Sequence, residues 1–568
     1  MNHEVSTAAP AERLSGISSQ TLPSAGTRLA ITRPPGSGDA LLLAETAAEA
    51  RLAKRLLVVV GADALDAQRI VDEIRYFDPT LTVRPLPDWE TLPYDTLSPH
   101  QDLVSERLET LYRLSQPDAG DIDVLVVPAT TALHRLAPPQ YVAGHTFFFR
   151  QGQKLDSEAL RTQLAFAGYQ HVSQVVAPGE FAIRSGLLDL FPMGSALPYR
   201  LDLLDDQLET IRAFDPDTQR GLYPVPDIRL LPGREFPIDD AARQAFRRRW
   251  RDRIEGDPSR SSVYKDVGNG IASQGIEYYL PLFFDDTSTL FDYLPASAIV
   301  VMHGAIEAAI QRFWNETSER HRFLARDTAR PILPPTDLFL NAEQFFARAK
   351  PHGRIALGEG AQEDFEAPPT LAVERRAEDP VQKLREYAAR FDGRVLVVAD
   401  SAGRRETIGQ MFAEYALPFS DNADFAAFVA SDAPLALGVA PLHEGFVLRG
   451  RGLAVVTETE LYASSPRRLR GKQRERASNV EAMIRDLAEL RVGDPVVHVE
   501  HGIGRYLGLQ TMDLGDGSTE FLHLEYASQS SLYVPVAQLH LIGRYSGADP
   551  DAEPLHLLRG ADWDKAGK

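Results

Sequence analysis

The chain has 568 residues, 44% hydrophobic and 25% charged, with a formal net charge of −20 and no cysteine. At ~100–200 residues per domain, that length holds about three to five domains of ordinary soluble composition. Without cysteine there are no disulfides, thiolate metal ligands or thiol nucleophiles, which fits a reducing cytoplasm, and the acidic balance argues against non-specific coating of nucleic acid.

Residues 1–25 are small, polar and proline-containing and read as a mobile tail with no apolar core of signal-peptide length. No later run reaches the ~18–20 apolar residues of a membrane span, so protein partners and a cytoplasmic setting are expected. Asp39–Lys54 reads as a helix, and Arg55–Gly61 (RLLVVVG) as a parallel strand buried on both faces. A helix over Asp63–Tyr76, a strand over Thr82–Leu86, a helix over Gln101–Leu114 and a strand over Asp123–Val127 follow. This alternation predicts a doubly wound α/β domain over residues 26–145.

The pattern then changes. One helix (Leu155–Gly168) and a run of short strands predict a small inserted α+β module at 146–232. Residues 233–345 return to the first domain, with a basic helix, Phe246–Arg253, and a strand, Ala298–Met302. The prolines of 346–379 suggest a linker, and 380–465 a further small α/β domain with strands Arg394–Ala399 and Leu453–Thr457. The basic stretch Pro466–Ser478 reads as a second linker, and Val480–Glu489 as a short helix. Alternating strands over 480–568, with the turn Gly515-Asp516-Gly517, predict a small antiparallel barrel, and a new helix begins near Asp562–Lys568. The expected fold class is multidomain α/β, closed by that small β-barrel.

The first glycine-rich turn, Pro34-Pro35-Gly36-Ser37-Gly38-Asp39-Ala40, stands where a phosphate loop belongs. A working loop needs G-x-x-x-x-G-K-[ST], with amides cradling phosphates, a lysine neutralising them and a hydroxyl on magnesium. Here Asp39 follows Gly38, and an acid there repels phosphate. The loop of Gly36, Gly38 and Asp39 therefore reads as a relic without ATPase activity, and no catalytic residue, cofactor or metal is assigned. Phe283-Phe284-Asp285-Asp286 looks like a metal-holding acidic pair but has no partner motif. His498, Glu500 and His501 suggest a metal site, yet an extended strand sends His501 away from the other two. The arginines of Phe246–Arg253 spread around several helix faces and read as a solvated, salt-bridged surface; the linker Pro466–Ser478 has at most weak contact with nucleic acid.

Three segments, LPDWETLPYDTLSPHQDLVSERLETLYRL (Leu86–Leu114), GEFAIRSGLLDLFPMGSALPYRLD (Gly179–Asp202) and DPVVHVEHGIGRYLGL (Asp494–Leu509), resemble the bacterial transcription-repair coupling factors. The resemblance runs in register from about residue 30 to the end. It implies that the first domain and its insert look like the excision-repair protein UvrB with a decayed nucleotide loop. It also implies that the last domain is a CarD-related, Tudor-like module that binds RNA polymerase through its beta subunit. The family continues into a helicase-type motor that uses ATP and magnesium to move on duplex DNA. No motor motif is found here, so the chain reads as a fragment carrying the docking domains, monomeric, with ATP, magnesium and most DNA contact left to the motor. No aromatic hairpin of the kind that clamps damaged DNA is found.

By the same resemblance the insert binds the repair protein UvrA through Arg184, Arg200 and Leu204. Arginines offer planar, multidentate donors to carboxylates, and an apolar neighbour gives a desolvated centre. Where the family pattern has an aromatic this chain has Leu204, which supplies less contact area. Arg200→Glu is expected to abolish UvrA binding while leaving the fold intact. In the last domain, Met512 is the expected apolar contact with polymerase, beside an open strand edge that a partner strand can extend. Two rival readings are a UvrB-type ATPase acting on damaged DNA and a stand-alone polymerase regulator of the CarD kind.

Overall fold

The computed structural model describes residues 22–462 apart from 156, 185, 205–206, 359, 361–363 and 375–376, and then 495–498, 502–513, 518–526, 530–535 and 542–544. Most of the tail, the linker 466–478, the helix Val480–Glu489, the turn at 515–517 and the helix start near 562 lie outside the described residues. The chain divides into two compact units, 1–463 and 464–568.

At the centre of the first unit is a six-stranded parallel sheet. From edge to edge its strands are Arg28–Thr32, Gly353–Gly358, Ile299–His303, Leu57–Gly61, Val124–Pro128 and Val83–Pro85. Strand residues alternate between faces, and here both faces are covered. Val58, Val60, Leu125 and Val127 enter one core, while Leu57, Val59, Val124 and Val126 enter the other. That is why the sequence shows unbroken apolar runs in place of alternation. The flanking helices are capped from the sequence: Asp63 accepts from the Asp66 amide at 2.8 Å to open Ala64–Phe77, and Asp239 does the same from Ala242 for Asp240–Arg253.

Gly353–Gly358 corrects one expectation. It lies in the proline-punctuated stretch 346–379, suggested by sequence as a linker, yet it is an interior strand bonded on both sides. Flanking Pro351 and a half-buried alternating pattern disguised it. Phe365–Glu366, in the same stretch, joins the next sheet.

The insert is a six-stranded, mostly antiparallel sheet running from Gly221–Pro224 through Gln207–Phe214, Tyr199–Leu204, Leu187–Leu190 and Glu180–Arg184 to Gln170–His171. It is seated on the helix Gln101–Leu114. Ser105 Oγ accepts from the Gly194 amide at 2.8 Å, and Gln101 Nε2 donates to Gly233 O at 3.2 Å. Where the chain leaves the insert, Glu235 takes two bonds from the fully buried Arg107, at 2.6 and 3.2 Å, and one from Trp89 Nε1 at 3.3 Å. A buried charge is tolerated only when paired in this way. The segment Leu86–Leu114 is thus the seat of the insert on the parent domain.

A third sheet, ordered Phe365–Glu366, Phe446–Leu448, Leu453–Val456, Arg394–Ala399, Leu435–Val439 and Ser420–Asp421, makes a small α/β layer with its own core around Val395, Val397, Phe412 and Leu437. In the second unit, five antiparallel strands run in the order Ser530–Pro535, Ser518–Tyr526, Gly502–Asp513, Pro495–His498, Ile542–Arg544. Val496, Tyr506, Leu522, Leu524, Tyr526 and Val534 fill their core. The pairing that would close these strands into a barrel is not among those of the described residues.

Candidate functional site

On the insert, register decides which residues share a face. Arg184 sits opposite Leu187, and Leu187 opposite Asp202; one row away, Asp189 sits opposite Arg200, and Arg200 opposite Arg212. Phe181, Leu188, Leu201 and Ile211 take the other parity and enter the main core. Arg184, Arg200 and Leu204 therefore lie on one face, in successive cross-strand rows.

Their environments differ. Arg184 is exposed, and one guanidinium nitrogen donates to Ser173 O at 2.5 Å. Leu204 is 58% exposed, large for a leucine at a strand end. Arg200 is committed inward. Its Nε and Nη2 donate to the two oxygens of buried Asp189 at 2.7 and 2.8 Å, and the guanidinium lies 4.9 Å from the centre of the Phe214 ring. Bonding to Asp189 raises its already high pKa, with burial opposing. This changes one expectation: glutamate at 200 would face Asp189 across the strand pair and disturb the fold as well as any partner. Reasoning from sequence missed Asp189, although a lone acid inside Leu187-Leu188-Asp189-Leu190 is the signal that finds it.

The glycine-rich turn at Gly36–Asp39 is filled by the chain's own side chains. Asp39, in the first turn of the helix Gly38–Leu52, is buried and takes both oxygens to Arg69, at 2.9 and 2.8 Å. His303, at the end of its strand, bonds Asp39 through Nε2 and Asp66 through Nδ1, both at 2.9 Å. Arg69 also reaches Asp66 at 2.8 Å and Glu73 at 2.7 Å. An imidazole with a carboxylate on each nitrogen must donate twice, so His303 is an imidazolium. Burial opposes that charge, but the bonds to Asp39 and Asp66 outweigh it and raise its pKa. Burial likewise pushes against ionised Asp39 and Asp66, yet His303 and Arg69 hold both below the usual carboxylate range. Three carboxylates share two cations, and Glu73 is the one left short: burial lifts it to about 7 against the pull of Arg69. Asp39 thus supplies internally the negative charge that a phosphate brings to a working loop. No lysine stands where one is required, and the Ser37 hydroxyl donates to Glu73 at 2.9 Å.

Other candidates fall into place. Met512 lies in Gly502–Asp513, its backbone opposite Thr519. In that strand, residues 502–505 have a neighbour on the Pro495–His498 side, and 506–513 have none there among the described residues. Among the described residues the far half of the strand, with Met512, has an unpaired edge. His498 ends its strand; Glu500 and His501 lie outside the described residues. On the basic helix, Arg249 pairs with Asp285, Arg251 donates to Tyr264 Oη at 3.0 Å, and Phe246 and Trp250 point into the core.

Three domain families match segments of the chain: the UvrB interaction domain at residues 147–236, the MFD D3 domain at 387–461 and the CarD-like/TRCF RID domain at 490–546. The chain is similar to the transcription-repair-coupling factor of Escherichia coli K12, 42% identical over 519 residues, or 90% of this chain and 45% of the relative. It is similar also to that of Haemophilus influenzae, 37% identical over 555 residues, 94% and 46% of the two chains. To the Bacillus subtilis protein of the same name it is 23% identical over 564 residues, 92% and 46%. The chain spans a little under half the length of these relatives.

Proposed function

We propose that this chain, a homologue of the transcription-repair-coupling factors over nine-tenths of its length, is an adaptor that links RNA polymerase stalled on its template to nucleotide-excision repair. The observation that carries this reading is that one chain holds both a UvrB interaction domain and a CarD-like/TRCF RID domain. The insert is read as the face for UvrA, through Arg184, Leu204 and the Arg200–Asp189 pair. The second unit is read as the face for polymerase, with its beta subunit adding a strand along the open edge at Met512 and leaving few backbone groups unpaired. The protein acts in the cytoplasm as a monomer. ATP-driven movement along duplex DNA, which family resemblance implies, is assigned to parts of such proteins beyond the matched segment.

Chemistry favours Arg184 as the probe, because its guanidinium is exposed and, among the described residues, bonds a backbone oxygen of its own module. In a titration with purified UvrA, Arg184→Glu is expected to weaken binding at least tenfold, ~1.4 kcal/mol. Circular dichroism and the unfolding midpoint stay unchanged. Met512→Arg is expected to lose polymerase in a pull-down while keeping UvrA. Unaltered UvrA affinity with Arg184→Glu would remove the insert from its assigned role.

A further inference from the structure

The relic loop receives a ligand from another part of the first unit. The Ser37 amide, the kind of donor that cradles phosphate in a working loop, donates to Glu444 O at 2.9 Å. The His443 amide donates to Glu73 at 2.8 Å and to Ser37 Oγ at 3.1 Å. His443–Gly445 belongs to the third sheet's layer, which holds the segment from its own side: Thr459 Oγ1 donates to His443 O at 2.8 Å, and the Gly445 amide to Glu460 at 3.1 Å. Gly36, at φ +54°, lies so close to the Gly445 and Glu444 carbonyl oxygens that any Cβ there would collide with them. Beside these polar bonds, Phe77 stacks edge-on against Phe425 at 4.9 Å and lies 6.0 Å from Phe446, and Leu41 enters the same apolar cluster.

We propose that the segment His443–Gly445 is a built-in ligand of the decayed nucleotide loop, a latch that fixes the third layer on the first α/β domain where a nucleotide would otherwise set the joint. In a nucleotide-binding fold the phosphate loop responds to what fills it; here a carbonyl and the Ser37–Glu73 pair fill it without any ligand from solution. The joint is therefore set by the chain itself, and opening it requires His443–Gly445 to leave the loop. Opening the latch breaks the bonds from the Ser37 and His443 amides and leaves the pairing of the parallel sheet in place, so it is a local event.

Amide hydrogen exchange on the intact chain, resolved to single residues, tests this. The Ser37 and His443 amides are expected to exchange at least 100-fold slower than exposed loop amides. Glu73→Ala is expected to accelerate those two at least tenfold, leaving Val58 and Val301 in the sheet unchanged. Thr459→Val, which loosens the segment from its other side at an exposed position, gives the same pattern more weakly and remains informative if Glu73→Ala does not fold. Added ADP at millimolar concentration leaves both amides as they were. Loop-like exchange of Ser37 and His443 in the parent chain overturns the latch, as does uniform acceleration of loop and sheet by both variants, or protection of Ser37 by ADP.

Discussion

Two of the arginine–carboxylate pairings in the first unit, one at the glycine-rich loop and one on the insert, are used in opposite directions. At the relic loop, Arg69 gives its guanidinium to Asp39, Asp66 and Glu73, and His303 completes the ring, so the charges are consumed inside the protein. On the insert, Arg200 is half consumed by Asp189, and Arg184 stays on the surface one row away. Burial makes the difference. A buried ion pair broken from one side leaves an uncompensated charge, whereas an exposed arginine loses little on its own but is available to a partner. The first arrangement is closed within the fold, and the second leaves a charge exposed, as the proposed UvrA face requires.

The largest effect expected from this contrast is on Arg69. Arg69→Met leaves Asp39, Asp66 and Glu73 facing His303 alone, and breaking a buried network of this kind costs ~3–5 kcal/mol. A urea titration should show the loss as a lower midpoint at unchanged slope. Arg184→Met should shift the midpoint by less than ~0.5 kcal/mol, as surface substitutions do. Equal destabilisation by the two would erase the distinction between the inward and outward sites.

The next effect is on pH. The pKa of Glu73 is raised in the folded state, to about 7. Its stabilisation is therefore full below its unfolded value and is lost as pH rises through about 7. The shift corresponds to an effect of roughly 3 kcal/mol. His303, also raised, acts in the same direction. Asp39 and Asp66, both lowered, act oppositely, and their share is lost only in strong acid. Stability of the first unit should fall between pH 5.5 and pH 8, and Glu73→Gln should flatten most of the slope. A profile that stays flat across this interval would mean that Glu73 is ionised throughout.

These two sites also mark how far the sequence could be read. The parallel strands were legible because Leu57–Gly61 and Val124–Pro128 are apolar on both faces, whereas Arg184, Arg200 and Leu204 were named by family resemblance and their common face needed the strand register. At the glycine-rich turn the sequence drew attention to Asp39, which the fold buries. Its partners were not legible, because His303 lies 264 residues from Asp39 in sequence and their meeting depends on strand order. Glu444 enters through a backbone carbonyl, which no side-chain pattern reveals. Gly353–Gly358 was hidden by its neighbouring proline, and the Arg200–Asp189 pair needed the strand register to be seen.

The smallest expected effect is at Leu204, and it sharpens the outward site most directly. Leu204 is 58% exposed, and it shares its face with Arg184. A ring there adds ~40 Å² of apolar surface to a desolvated interface, worth ~1 kcal/mol at ~25 cal/mol per Å². Leu204→Phe should therefore tighten UvrA binding about fivefold while leaving the folded chain unchanged. If Arg184→Glu removes binding and Leu204→Phe strengthens it, the two rows belong to one docking surface. If Leu204→Phe leaves the affinity unaltered while Arg184→Glu removes binding, the partner's footprint ends at the Arg184–Leu187–Asp202 row, and leucine is kept at 204 because nothing presses on it.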